Sequence, residues 1–339
     1  MNKFVNFINK INKQEIMVVG DIIADEFVIG RPERLSREAP VLILHFAEKK
    51  ILPGGGANAA NNIKSLNAGV KLVGIVGNDR AGYDLKTELS KRGINTDGII
   101  IDNTRSTAVK TRILAGGDQV VKQQVVRIDN INRKAVKKDK KQEEKIITYI
   151  KKNLNTVDAV IISDYGNGVL SKNIKKFLLN LSEKNDKFIA LDSRYNLLDY
   201  AWGINIATPN LEETGAALNK KLRTDYDVIK AGKELIGKLN SEYLLITRGK
   251  DGMTLFTESR DYIHFPVVNL SEVYDVTGAG DTVISVFVLA ICTGATAVEA
   301  MKMANYAAGI VVRKSGVATV KPAEILQEVQ KNEFQDTID

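Results

Sequence analysis

The residues best suited by type and spacing to do chemistry form the string Asp275-Val276-Thr277-Gly278-Ala279-Gly280-Asp281, followed at once by the apolar run Thr282–Cys292. Small residues let the backbone turn tightly with its N–H groups converging, and the apolar run predicts a buried helix starting there. The free amides of a helix start make an anion site. Asp281, in the first turn, can take a proton from a hydroxyl held beside that anion. In a purely structural role the same aspartate would only favour the helix dipole.

A second string, Pro53-Gly54-Gly55-Gly56-Ala57-Asn58-Ala59-Ala60, leads into a helix through about Leu66. It formally matches a dinucleotide fingerprint as Gly54-x-Gly56-x-x-Ala59, with Asp79 about twenty residues on. The segment before it, however, is Val41–Phe46 and the charged Glu48-Lys49-Lys50, not a buried parallel strand. The first strand-to-helix turn, Gly20-Asp21-Ile22, lacks such glycines. A NAD-linked dehydrogenase is therefore a remote alternative. A glycine run that lets a small polar ligand touch backbone, with Asn58 bonding its hydroxyls, fits better.

Two further strings follow strands. In Thr208-Pro209-Asn210-Leu211-Glu212-Glu213, Asn210 and Glu213 are three apart and can address a hydrated Mg²⁺ or cap a helix reciprocally. In Thr247-Arg248-Gly249-Lys250-Asp251-Gly252, the arginine can meet phosphate, or the segment is an ordinary hairpin turn. No Gly-Lys pair is followed by Ser or Thr, and the HRD and DFG strings are absent. Phosphoryl transfer would need an architecture other than the P-loop or protein-kinase ones.

The elements that must position these residues are legible as short apolar runs closed by turn residues: Ile16–Val19, Lys71–Val76, Ala159–Ser163, Phe188–Leu191, Ile204–Ala207 and Tyr243–Thr247. Strands alternating with helical segments predict an α/β fold with a doubly wound, mainly parallel sheet flanked by helices. Ligands of such sheets bind at the carboxyl ends of the strands. Asp21, Asp79, Asp164, Asp192, Asn210 and Arg248 lie at or just past those ends and are expected to share one mouth.

Phe27–Gly30 with Val41–Phe46, and Ala108–Leu114 with Gln119–Ile128 around a Gly116-Gly117-Asp118 turn, predict a small half-exposed sheet. Its use would be a lid or a dimer contact. Lys110 and Arg112 share one face of it. With Arg127, Arg34 and Arg37 they could form a second anion site, or simply decorate an exposed edge.

The chain has 339 residues, 48 basic and 41 acidic, for a net charge of +7. Residues 133–145 hold seven basic and three acidic side chains, so the remainder is nearly neutral and a nucleic-acid partner is not expected. One cysteine, Cys292, and two histidines, His45 and His264, leave little for a disulfide, a zinc site or a serine–histidine triad. Residues 1–14 lack an uninterrupted apolar core; Phe4, Val5, Ile8 and Ile11 instead predict one face of a docking helix. Val283–Cys292 is too short to span a membrane. A soluble cytoplasmic protein with no membrane partner is expected.

Taken together and in order, the strings resemble the ribokinase/PfkB family of carbohydrate kinases from about Ile16 to Pro322. Gly20-Asp21-x-x-x-Asp25, Arg34-Leu35-Ser36-Arg37-Glu38-Ala39-Pro40, Ser163-Asp164-Tyr165 and Glu272–Val283 further resemble the D-glycero-β-D-manno-heptose-7-phosphate kinases, also found as the kinase half of bifunctional ADP-heptose synthases. The resemblance implies a ribokinase-like kinase domain over 15–330 with lid strands near 27–51 and 107–128, and a tail over 331–339. The sequence ends at Asp339 without a nucleotidyltransferase domain, so only the kinase step is implied.

The resemblance further implies ATP as donor, Mg²⁺ as cofactor, K⁺ as an activating ion, and a homodimer through the lid strands. By motif, Asp281 resembles the base that deprotonates the sugar hydroxyl, and the amides from Gly278, Ala279 and Gly280 to Asp281 the anion hole. Asn210 and Glu213 would handle phosphate and Mg²⁺. Thr247, Arg248, Gly249 and Gly252 would meet nucleotide phosphates and ribose, and Asn305 and Gly309, on a helix over Ala300–Arg313, the adenine. Asp25, Gly54, Gly55 and Asn58 resemble residues that grip sugar hydroxyls, with Asp192, Lys110, Arg112 and Arg127 also on the substrate side. Asp275 and Thr277 match positions that bind a monovalent cation.

One departure stands out. Asp192-Ser193-Arg194 replaces the usual Asp-Pro-Lys, exchanging a point charge for a planar fork. The implied reaction is phosphorylation of heptose 7-phosphate at O1 to the 1,7-bisphosphate. Fructose, ribose and fructose phosphate remain alternative substrates.

Overall fold

The computed structural model describes residues 2–116, 122–131, 140–185, 187–267 and 274–335. In chain order these form α1 (Asn2–Ile11), β1 (Glu15–Gly20), β2 (Ile22–Leu35), β3 (Leu42–Gly55), α2 (Gly56–Ser65), β4 (Gly69–Gly77), α3 (Arg80–Lys91), β5 (Asn95–Asp102), β6 (Ala108–Ala115) and β7 (Gln123–Asn130). There follow α4 (Lys140–Asn153), β8 (Ala159–Asp164), α5 (Lys172–Asn185), β9 (Phe188–Ser193), β10 (Ile206–Ala207), α6 (Leu211–Leu218) and α7 (Asp225–Leu239). The chain continues through β11 (Tyr243–Thr247), β12 (Met253–Thr257), β13 (Tyr262–Phe265), α8 (Ala279–Cys292), α9 (Ala297–Val311) and α10 (Pro322–Gln335).

The main sheet runs β13-β12-β11-β10-β9-β8-β1-β4-β5 among the described residues. It is parallel from β11 to β5, and β12 and β13 add an antiparallel edge. Helices cover both faces, which is why β1 and β8 read as unbroken apolar runs rather than alternating ones. The chain leaves β1 toward β4 on one side and later builds β8 to β11 on the other. Strand order therefore reverses between β1 and β8, the switch point at whose carboxyl ends sheets of this kind bind ligands. The doubly wound, mainly parallel α/β fold expected from the sequence is the one observed.

The second sheet, β3-β2-β6-β7, is built from the strands the sequence assigns to a lid. Its strands exceed the expected pieces because β2 and β3 pair continuously from Ile22↔Gly55 to Leu35↔Leu42. The Gly117-Asp118 part of the expected turn, residues 119–121 of the expected last lid strand, and most of the basic stretch lie outside the described residues. Gly54 and Gly55 close an antiparallel lid strand, so the dinucleotide match has no parallel strand behind it, and the dehydrogenase reading falls.

Other boundaries also move. β10 shrinks to two residues because the Asn205 side chain accepts from the Ile189 amide at 2.7 Å. α9 starts at Ala297, fixed by a Thr296–Glu299 capping box, rather than at Ala300. α10 runs through Gln335, past the expected boundary at 330. On α1, Phe4, Ile8 and Ile11 of the expected face pack on the core and Phe7 joins them, whereas Val5 is exposed. Phe4 meets Tyr306 of α9 edge to face at 5.9 Å. No helix among the described residues is long and apolar enough to cross a membrane.

Candidate active site

The start of α8 is built by two glycine-rich strings meeting. Gly278 caps the helix in the left-handed region, φ 82°. A Cβ there would lie 2.5 Å from Asn58 Nδ2, so the close approach and the dihedral both require glycine. Asn58, on the first turns of α2, donates to Asp281 Oδ2 at 2.8 Å. Thr282 bonds Asn62 at 2.9 Å and Ser285 the Ala59 carbonyl at 3.1 Å, locking the two helices together. A Cβ on Gly280 would meet nothing within 4 Å, so open space lies over the helix start.

Asp281 is 4% exposed. Burial pushes its carboxyl up to about 7. Hydrogen bonds from Asn58 and from the Tyr165 hydroxyl, at 3.1 Å to Oδ1, pull against that rise, as does the charge of Lys110, while Asp25 adds to it. A carboxylate poised near neutrality, beside converging amides, is equipped to accept a hydroxyl proton.

The lid supplies the opposite wall. Register places Asp25 beside Lys110 and Phe27 beside Arg112, all on one face. Arg112 is hydrogen-bonded to Asp25 and lies over the Phe27 ring, 5.4 Å from its centroid. Lys110 Nζ sits 5.2 Å from the Tyr165 ring centroid, and burial lowers its pKa. Gly54 makes room for the Asp25 carboxylate, because a Cβ would come within 2.2 Å of Oδ2. Arg127 lies opposite Arg112 but forks onto Asp129 at 2.9 and 3.0 Å. Arg34 is nine residues further along β2 than Asp25, about 30 Å at 3.3 Å per residue. It and Arg37 therefore stand at the far end of the lid, away from the expected anion site.

On the other side, Asn210 and Glu213 form the capping box: Glu213 donates its amide to Asn210 Oδ1 at 2.8 Å, and Asn210 its amide to Glu213 Oε2 at 2.9 Å. Burial raises the Glu213 carboxyl and, strongly, that of Asp192, which also faces Asp281 and Glu213. Asp192 thus feels the charge of both Asp281 and Glu213. A parallel bridge joins Asn210 to Thr247.

Arg248 pairs with the exposed Asp225 and reaches Thr254 and His264 at 3.3 Å each. Gly249 and Gly252 have φ 58° and 80° in the β11–β12 hairpin, the structural alternative for this string. Asn305 donates to the Pro266 carbonyl at 2.7 Å, fixing the end of the β13 segment to α9. Gly309 faces open space on the same helix. Asp275 accepts from the amides of Thr277 at 2.9 Å and Gly316 at 3.2 Å, pinning the string before α8 to the α9–α10 connection.

The single mouth expected at the strand ends is narrower than the sequence suggested. Asp79 caps α3 and takes the Thr107 amide and hydroxyl. Asp164 is held by Tyr200 at 2.6 Å and Lys175 at 3.0 Å. Both are spent on structure. Conversely, Tyr165 touches Asp281 and is not among the expected site residues. Its only signal was the Ser163-Asp164-Tyr165 string. Among the described residues no group of three or more His, Cys, Asp and Glu is arranged to hold a metal ion.

Comparison with known proteins places the chain in a family. The model of the pfkB family carbohydrate kinases matches residues 13–324. A protein named bifunctional protein HldE from Geobacter sulfurreducens is 36% identical over 312 residues, 91% of this chain and 62% of its own length. Its namesake from Aliarcobacter butzleri is 34% identical over 315 residues, 93% of this chain and 64% of the relative. The chain thus spans less than two thirds of these relatives. Arabidopsis thaliana ribokinase, solved with ribose and ATP, superposes with TM-score 0.71 at 20% identity, covering 93% of this chain and 98% of that one. Phosphofructokinase-2 from Escherichia coli, in complex with substrates and products, gives 0.73 at 15%, covering 94% and 99%. The chain is a sugar kinase and belongs to the pfkB family of carbohydrate kinases.

Proposed function

We propose that the protein transfers the γ-phosphoryl group of ATP to O1 of D-glycero-β-D-manno-heptose 7-phosphate, giving the 1,7-bisphosphate and ADP. The observation that carries this reading is Asp281 at an open helix start, opposite a lid face that presents Lys110 and the Arg112–Asp25 pair. The sugar hydroxyl oxygen bonds to the γ-phosphorus, the bond from that phosphorus to the β–γ bridging oxygen breaks, and the hydroxyl proton passes to Asp281. The amides of Gly278 to Asp281 aim at the charge on the transferring group.

Mg²⁺, when bound, neutralises the phosphate oxygens. Glu213 suits it through water, because only its Oε2 is committed to the cap. Asp275 and Thr277 suit a K⁺ that would stiffen the anion hole; the Asp275 carboxylate already organises that turn through two amides. The heptose phosphate assignment is supported by the strings shared with heptose-7-phosphate kinases and by the similarity to proteins named HldE. A cytoplasmic homodimer, joined through the lid, completes the reading.

The test is a phosphorylation screen with ATP and Mg²⁺ over heptose 7-phosphate, free heptose, ribose, fructose and fructose phosphate. Two charged contacts at about 1.5 kcal/mol each would favour heptose 7-phosphate over free heptose roughly a hundredfold in kcat/KM. Preference for another sugar would replace the substrate and leave the kinase standing.

A further inference from the structure

We propose that Tyr165 is a positioning residue for the base: its hydroxyl fixes the Asp281 carboxylate and favours its ionised form. This rests on Asp281 being the base. Two donors from separate elements hold that carboxylate, Asn58 at Oδ2 and Tyr165 at Oδ1. Each oxygen keeps a further lone pair, so both bonds can persist while a sugar hydroxyl approaches.

Tyr165 lies on the loop after β8, and the structure restrains that loop from several sides. Asp21, fully buried, accepts from the amides of Tyr165 at 2.8 Å, Asn167 at 3.0 Å and Val169 at 3.2 Å. Gly166 donates to Asp164 at 3.0 Å, and the Tyr195 ring packs on Gly166 so closely that a Cβ would lie 2.9 Å from it. From the lid, Lys110 covers the Tyr165 ring. One side chain therefore joins the base, a clamped loop and the lid.

The sign of the effect is fixed by the surroundings. The titratable and charged groups facing Asp281 are Asp25 on β2, Lys110 on β6, Asp192 on β9 and Tyr165. Asp25 and Asp192 disfavour the carboxylate, while Lys110 and the phenol favour it. Burial keeps the phenol protonated, hence a donor. Deleting the hydroxyl must raise the Asp281 pKa further and leave fewer molecules with an ionised base at neutral pH.

The experiment titrates protein carrying ¹³C at its aspartate carboxyl carbons, with the Asp281 resonance identified by its loss in Asp281→Asn. In Tyr165→Phe the midpoint should move to higher pH. In wild-type chain grown on 3-fluorotyrosine, whose more acidic phenol donates more strongly, it should move lower. With the sugar found by the screen, kcat/KM of Tyr165→Phe should fall about ten- to a hundredfold, its acid limb rising and the KM for ATP unchanged. A tyrosine that only packs would change the melting temperature and leave the midpoint in place, which overturns the inference. Should Asp281→Asn keep its turnover, the base assignment falls instead, whatever the midpoint does.

Discussion

At the scale of single residues, Asp281 carries a conflict between stability and function. Its folded pKa, about 7, lies above the usual aspartate value of 3.8, so the native state binds the proton more tightly than the unfolded chain. Stability contributed by that proton is present below the unfolded value and is lost as pH rises through about 7. Asp281→Asn should therefore lose turnover by about 10²–10⁴-fold while melting no lower than wild type at pH 8. Measured kcat and thermal melts at acid and alkaline pH check both halves; near wild-type turnover would remove the base. The same pKa places the acid limb of kcat/KM near neutrality. Asp281, Asn58 and Gly278 were legible in the sequence because small residues beside a buried helix start leave few other uses. Tyr165 was not assigned a role, because a tyrosine on a loop has no spacing that announces its partner. The Arg248–Asp225 pair was equally hidden, because its two members lie 23 residues apart, beyond any local pattern.

At the scale of elements, glycines mark where two segments come close, and each tests a different half of the site. Gly278→Ala would combine a left-handed backbone, about 1–2 kcal/mol for an L-residue, with a 2.5 Å approach to Asn58. Displacing Asn58 frees one oxygen of the base, so kcat should fall with little change in the KM for sugar. Gly54→Ala instead pushes on Asp25, whose Oδ2 would lie 2.2 Å from the new Cβ. There the sugar KM should rise while the KM for ATP holds. Steady-state kinetics on both variants separates these outcomes; matching profiles would mean the two glycines do not serve separate subsites. The parallel strands were readable as apolar runs since both faces are covered. β5 opens with the polar Asn95-Thr96-Asp97 at the sheet edge, and β12 and β13 reverse the pattern, so none of the three stood out.

At the scale of the whole molecule, the two faces of the lid sheet differ in chemistry, and the proposed homodimer would use the outer one. Register puts Val28, Ile113, Val126 and Phe46 on the face opposite Asp25, Lys110 and Arg112, with Ile128 beside Thr111 on that same outer face. Phe46, Val126 and Ile128 are 69%, 47% and 54% exposed. An apolar sheet face of this kind in a monomer is a liability, and a second copy packed face to face at about 10 Å would cover it. Bulges at Ala47 of β3, opposite Ile29 and Gly30, and at Val125 of β7, opposite Ile113 and Leu114, bend the outer strands of the same sheet. Strands stiffened from outside would hold Lys110 and Arg112 steady inside. Sedimentation equilibrium should accordingly give twice the 37.3 kDa chain mass. Ile128→Lys should shift it toward the single chain and raise the sugar KM, although residue 128 never faces the site. A monomeric wild type, or a dimer that survives Ile128→Lys with unaltered kinetics, would detach association from the lid and leave its outer face without a role in catalysis.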